Sequence, residues 1–151
     1  MKRTSAELRT RLVDALDLAR LPQEGGWFRQ TSNSGDRSTI LFLLAGDDFS
    51  ALHRLDAVED YRYVAGAALR LLLLDKAGPR EEIVSRSHQH VTVPAGCWQG
   101  SSSASDWTLV TTSVTPAFDW SLFELGEREQ LQTAWPAAAR RIAALTRPVP
   151  A

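Results

Sequence analysis

Cysteine is nearly absent from this chain of 151 residues: Cys97 stands alone, so no internal disulfide can brace the fold. Stability must come from a packed core, and a chain of this length can build one. A lone thiol suits a reducing compartment, and a cytoplasmic setting is the expectation. Net charge is also nearly absent, at −1. That leaves no electrostatic case for nucleic acid or an anionic membrane as a partner. Long apolar runs are missing: the leucines at 71–74 and their neighbours are far too short to span a bilayer. Residues 1–20 are charged and periodic, unlike a secretory signal. There is no low-complexity tract and no repeat at solenoid spacing, which excludes array architectures.

What is present is a succession of short β patterns between two helical ones. Thr4 and Glu7 form a capping box. Leu8, Leu12, Ala15, Leu16 and Ala19 then recur at helical spacing, which predicts a helix over residues 4–19 packed outside a sheet. Strand patterns come next, at 27–31, 39–45, 50–55, 59–64, 68–75, 81–84, 88–93, 97–101 and 107–114. Turn residues separate them, notably Gly25-Gly26, Gly46-Asp47-Asp48 and Pro94-Ala95-Gly96. This rhythm argues for a β-sandwich or barrel. Residues 127–147 read as a second helix with Leu131, Trp135, Ala138, Ile142 and Leu145 as its buried stripe. Pro136 predicts a kink there, or two helices with Pro136 in the first turn of the second.

Four segments carry a family likeness. They are Glu24-Gly25-Gly26-x-Phe28-Arg29; Ser38-Thr39-Ile40-x-Phe42-Leu43-Leu44 followed by His53-Arg54 and Glu59; Val93-Pro94-Ala95-Gly96-x-Trp98-Gln99; and Val114-x-Pro116-x-Phe118-Asp119 with Phe123-Glu124. Together they resemble the cupin superfamily, in its group of small single-domain, sugar-epimerase-like cupins of unknown function. The resemblance covers about residues 5–147. It implies a mainly β fold: a jelly-roll barrel over about residues 26–124 with one helix before it and one after, a pocket at one mouth, and a homodimer. The sequence departs from the group at Pro22-Gln23, Leu52, Ala57, Val58, Tyr61, His90 and Ala117. Several of these should lie near the pocket, so a specialised substrate is expected.

A metal-binding cupin offers His-x-His and Glu on one motif and His on a second. Here Leu55 and Gln99 stand at two of those positions. Leucine cannot ligate, and glutamine is a weak neutral ligand. A divalent metal would therefore need His53 and Glu59, with His90 or Gln99 recruited. The main expectation is metal-independent acid–base chemistry on a small polar or sugar-like metabolite: epimerisation, dehydration or cyclisation. His53 titrates near ~6.5 in its free form and suits that work. Glu59, Tyr61 and Tyr63 share a strand face by the period of two. His53, Glu59 and Tyr61 are the candidate catalytic residues. Arg29, Phe42, Tyr63, His90, Trp98 and Gln99 are the candidate substrate-binding ones. Arg29 would hold a carboxylate or phosphate, or else pair with Glu124 or Asp119. Cys97 reads as a small buried side chain. The alternatives are a barrel that binds a small ligand without turning it over, and a metal enzyme built on the degenerate ligand set.

Overall fold

A computed structural model describes residues 4–148. In chain order its elements begin with α1 (Ser5–Leu16), β1 (Ala19–Arg20), β2 (Trp27–Asn33), β3 (Ser38–Ala45), β4 (Phe49–Leu55), β5 (Val58–Gly66) and β6 (Leu69–Asp75). They continue with β7 (Gly78–Val84), β8 (His90–Val93), β9 (Trp98–Ser103), β10 (Trp107–Thr115), β11 (Phe123–Leu125), α2 (Arg128–Ala134) and α3 (Ala139–Ala144). Two antiparallel sheets face each other, in the orders β1-β2-β3-β10-β5-β8 and β11-β4-β9-β6-β7. The fold is a mainly β jelly roll.

The apolar runs in β3 and β6 have a direct cause: both faces of these strands are covered. Phe42 and Leu44 point between the sheets, where they meet Leu69, Leu71 and Leu73. Leu43 and Ala45 point outward and are covered by Leu12, Val13 and Leu16 of α1. On the second sheet Leu52, Leu72 and Leu74 point outward under Leu131, Ile142 and Leu145. Each helical segment thus roofs one sheet, and the interior between the sheets is left for core and site.

The helices are shorter than the sequence pattern predicts. The Thr4 cap forms with both bonds of the box, Glu7 N–H to Thr4 Oγ1 at 3.1 Å and Thr4 N–H to Glu7 Oε2 at 3.0 Å. Asp17 then turns left-handed (φ 54°), which ends α1 and frees Ala19–Arg20 to pair with β2. At the other end Pro136 opens a 3-10 turn, Pro136–Ala138, and splits the predicted helix into α2 and α3. Proline has no N–H to continue the first helix but suits the first turn of the next.

The turn between β1 and β2 shapes the open end of the sandwich. Gly25 and Gly26 both sit at positive φ, +97° and +77°. A Cβ on Gly26 would come within 2.8 Å of the Phe42 ring. Gly26→Ala therefore adds left-handed strain to overpacking and should cost about 2–4 kcal/mol. A urea midpoint unchanged from that of the parent protein would refute this.

Candidate functional site

The turn at Leu21–Gly26 carries Glu24 over the open end of the sandwich. Gly25 N–H donates to the Leu21 carbonyl (3.1 Å), and Leu21 N–H donates to the Gly26 carbonyl (3.0 Å). Ala51 N–H donates to the Glu24 carbonyl (2.8 Å), which ties the turn to β4. The Glu24 side chain then points inward. Its Oε2 accepts from Ser50 Oγ at 2.8 Å, and its Oε1 lies 3.5 Å from His53 Nε2.

His53 is fully enclosed on β4, with its ring stacked on Phe123 at 5.2 Å between centroids. Its Nδ1 lies 2.7 Å from the Ala51 carbonyl oxygen. A carbonyl can only accept, so Nδ1 carries the proton and the neutral ring presents Nε2 as a lone pair. Burial holds the imidazole below its ordinary pKa, offset in part by the Glu59 charge and the Ala51 bond. The ring is therefore neutral at pH 7.

Glu59, on β5, is 7% exposed, and its Oε1 has no hydrogen-bond partner; nor does His53 Nε2. Burial pushes the Glu59 carboxyl up to about 7, helped by the Glu24 charge; His53, Thr112 and Gln99 pull the other way. Burial likewise pushes Glu24 up to about 7, against the Ser50 hydrogen bond. Two carboxyl groups thus change charge around neutral pH, each sensing the other. Tyr61 Oη donates a hydrogen bond to Gln99 Oε1, which turns the Gln99 amide nitrogen away from Tyr61. Burial and the two glutamates hold the Tyr61 phenol well above its usual range.

Glu24 and Glu59 line a cavity of about 260 Å3 with mainly apolar walls, including Leu21, Phe28, Ile40, Leu55 and Val114. Phe118 and Trp120 also line it, packed edge to face at 5.0 Å, and Trp120 is 42% exposed. Trp120 packs in turn edge to face on Phe123 at 5.0 Å, so an aromatic chain runs from solvent to the His53 ring.

The structure brings His53, Glu59, Tyr61 and Gln99 together. It places the other expected residues elsewhere. His90 stands on the outer face of β8, Nε2 to Asp60 Oδ1 at 3.1 Å, because Val91 and Val93 take the inward positions of that strand. Arg29 is exposed beside α1, where its Nε donates to the Leu16 carbonyl at 2.9 Å; Phe28 is the inward residue there. It reaches neither the cavity nor Glu124 nor Asp119. Trp98 points outward under α2, with Arg54 4.7 Å over its ring. Phe42 is core, filled against Gly26. Tyr63 packs on that same core and donates to the Gly66 carbonyl at 2.8 Å. Cys97 is buried with its thiol pushed up to about 11, chiefly by burial.

The ligand set of His53, Glu59, His90 and Gln99 is therefore not assembled, since His90 is outside and Gln99 is engaged by Tyr61. Among the described residues no three His, Cys, Asp or Glu side chains are placed to hold a metal ion. Leu55, in the cavity wall, occupies a position where a ligand would be needed. The donor set does not fit a cupin-type transition-metal centre. Protein purified without chelator should carry less than about a tenth of an equivalent of divalent metal by elemental analysis; a stoichiometric content would refute this.

Glu24 is the residue that sequence patterns did not pair with His53. Its only signal was its place before Gly-Gly, since a loop residue has no periodicity to mark it. Thr112 and Trp120 carried no sequence signal, and Phe118 and Phe123 stood in a segment of family likeness that does not say which of its residues face the cavity.

A profile of the family described as "Cupin superfamily (DUF985)" matches residues 10–126. A structural-genomics protein from Shewanella oneidensis is similar over 92% of this chain and 97% of its own, at 28% identity and a TM-score of 0.84. A hypothetical protein from Leishmania major is similar over 92% of this chain and 98% of its own, at 25% identity and a TM-score of 0.83. Oxalate decarboxylase from Bacillus subtilis shares the fold alone: 12% identity, TM-score 0.61, 90% of this chain and 41% of that one. No curated protein matches the sequence.

Proposed function

The chain belongs to the cupin superfamily, in the family of unknown function 985, and on that footing we propose that it is a small-molecule enzyme moving protons at Glu24 and Glu59. One observation carries the reading: two carboxyl groups held near neutrality in an apolar cavity, beside a neutral imidazole whose lone pair has no partner. Paired carboxyls that are neither fully charged nor fully neutral at working pH can divide acid and base between them.

In an isomerisation or elimination, the Glu24 carboxylate takes a proton from carbon. The Glu59 carboxylic acid gives one to the carbonyl oxygen or to the departing hydroxyl. Reversal of the first step returns the proton to carbon. His53 touches Glu24 from the protein side and is a positioning residue, holding and polarising that carboxyl. Tyr61 acts through Gln99, whose amide faces Glu59.

A test can be run before any substrate has been identified. Pooled metabolites are incubated with the protein in deuterium oxide and examined by mass spectrometry for deuterium at carbon. Incorporation that requires the protein and is lost in Glu24→Gln supports the reading. A ligand retained intact and unlabelled through long incubation identifies the protein as a binding module instead.

A further inference from the structure

We propose that the ligand of this cavity is a compact primary amine with an apolar body, its ammonium seated against the Glu24 and Glu59 carboxyls. This rests on the reading of the cavity as the substrate site and names the class of substrate.

The polar end of the cavity offers acceptors. Behind Glu24, His53 Nδ1–H is committed to the Ala51 carbonyl, so Nε2 brings that carboxyl no competing donor. Glu59 Oε1 is buried and unpartnered. Glu24 uses Oε2 for Ser50, which leaves Oε1 beside His53. An ammonium group has three donors and no acceptor, which matches this set. Buried acceptors without partners are costly, so a ligand that supplies donors gains their full value.

Other ligand classes fit poorly. Among the described residues no lysine or arginine lines the cavity. Arg29, Arg54 and Arg147 are turned to the Leu16 carbonyl, Glu124 and the Gln23 carbonyl. A carboxylate or phosphate would meet two glutamates and no counter-charge. A sugar could reach Gln30, Ser38 and Thr112 in the lining, but Leu21, Phe28, Ile40, Leu55 and Val114 leave most of the wall unable to pair its hydroxyls. At about 260 Å3 the space lies below the range of about 300–1,000 Å3 that holds drug-sized ligands.

The amine also accounts for a base at neutral pH. Seating a cation favours a single negative charge on the carboxyl pair, so the Glu24 proton leaves to solvent as the amine enters, while Glu59 keeps the proton it gives in the reaction. The Glu24 carboxylate is thereby ready beside the ligand. The groups facing this proton are Glu24 from the turn, His53 from β4, and Glu59 and Tyr61 from β5.

Isothermal titration of the full chain with 2-phenylethylamine, 2-phenylethanol and 3-phenylpropanoate tests this. The amine should bind about tenfold or more tightly than the alcohol, the worth of a charge-assisted hydrogen bond, and the carboxylate should not bind. Amine affinity should rise from about pH 6 to about pH 8, with proton release, as the Glu24 carboxyl ionises. Glu24→Gln should erase the preference for amine over alcohol; if that variant does not fold, the pH series on the parent protein decides. A carboxylate or alcohol that binds as tightly as the amine overturns the assignment, as does an affinity flat with pH, or no binding of the amine. Deuterium exchange at carbon is a separate readout, so the proton-transfer reading can survive that result or fail without it.

Discussion

Glu24→Gln lowers the rate of deuterium incorporation at carbon by about 10²–10⁴-fold, the usual worth of a positioned acid–base group. The substitution is a narrow one. Glutamine keeps the length of the side chain, and its amide oxygen can still accept from Ser50 Oγ. The backbone bond from Ala51 N–H to residue 24 is untouched. What disappears is the capacity to take a proton. The wild-type rate should change with pH around 7, where both carboxyls titrate, and the variant should lose the limb that belongs to Glu24. His53→Ala should be milder in rate and should instead move the pH profile, because His53 acts through Glu24. Full exchange activity in Glu24→Gln, with the fold intact by circular dichroism, would remove Glu24 from the mechanism.

Glu59→Gln stabilises the protein at pH 8 and changes little at pH 5. The sign comes from the direction of the shift. The folded carboxyl is pushed up to about 7 from an ordinary value of 4.5. Between those values the folded chain holds a proton that the unfolded chain has released. The stabilising contribution is complete below about 4.5 and is lost as pH rises through about 7. At pH 8 the folded state carries a buried charge, and a shift of this size corresponds to about 3 kcal/mol. Glutamine removes that charge while keeping the shape. A thermal unfolding series should show the parent protein losing melting temperature from pH 5 to pH 8 and the variant losing much less. Asp60 and Asp75 have the opposite sign: hydrogen bonds, from Thr92 and Arg80 respectively, hold their carboxyls below the ordinary value. Their contribution is lost only in more acid solution, outside this window. Equal melting temperatures for the two proteins at pH 8 would exclude an ionised, destabilising Glu59. The stability forgone at pH 8 suits a group kept for chemistry.

Much of the fold was legible because its causes are local. The apolar runs of β3 and β6 show strands buried on both faces, and both helices announce their starts or breaks through Thr4, Glu7 and Pro136. β11 was not legible: three residues are too few to show a period. The site was legible in part. The period of two puts Glu59 and Tyr61 on one face of β5, and the structure adds Gln99 to them through the Tyr61 hydroxyl.

Local pattern dictates which residues alternate together: His90 with Thr92, Val91 with Val93, Phe28 apart from Arg29. A period of two does not say which of the two faces is inside. Packing settles that, because α1 covers the outside of β2 and β3, α2 and α3 cover the outside of β4 and β6, and apolar side chains compete for the interior. Val91 and Val93 won it from His90, and Phe28 from Arg29. The meeting of Glu24 with His53 was likewise beyond any local pattern. It depends on a turn at positive φ, anchored to Ala51 on another strand, and such a contact exists only once the two sheets have closed.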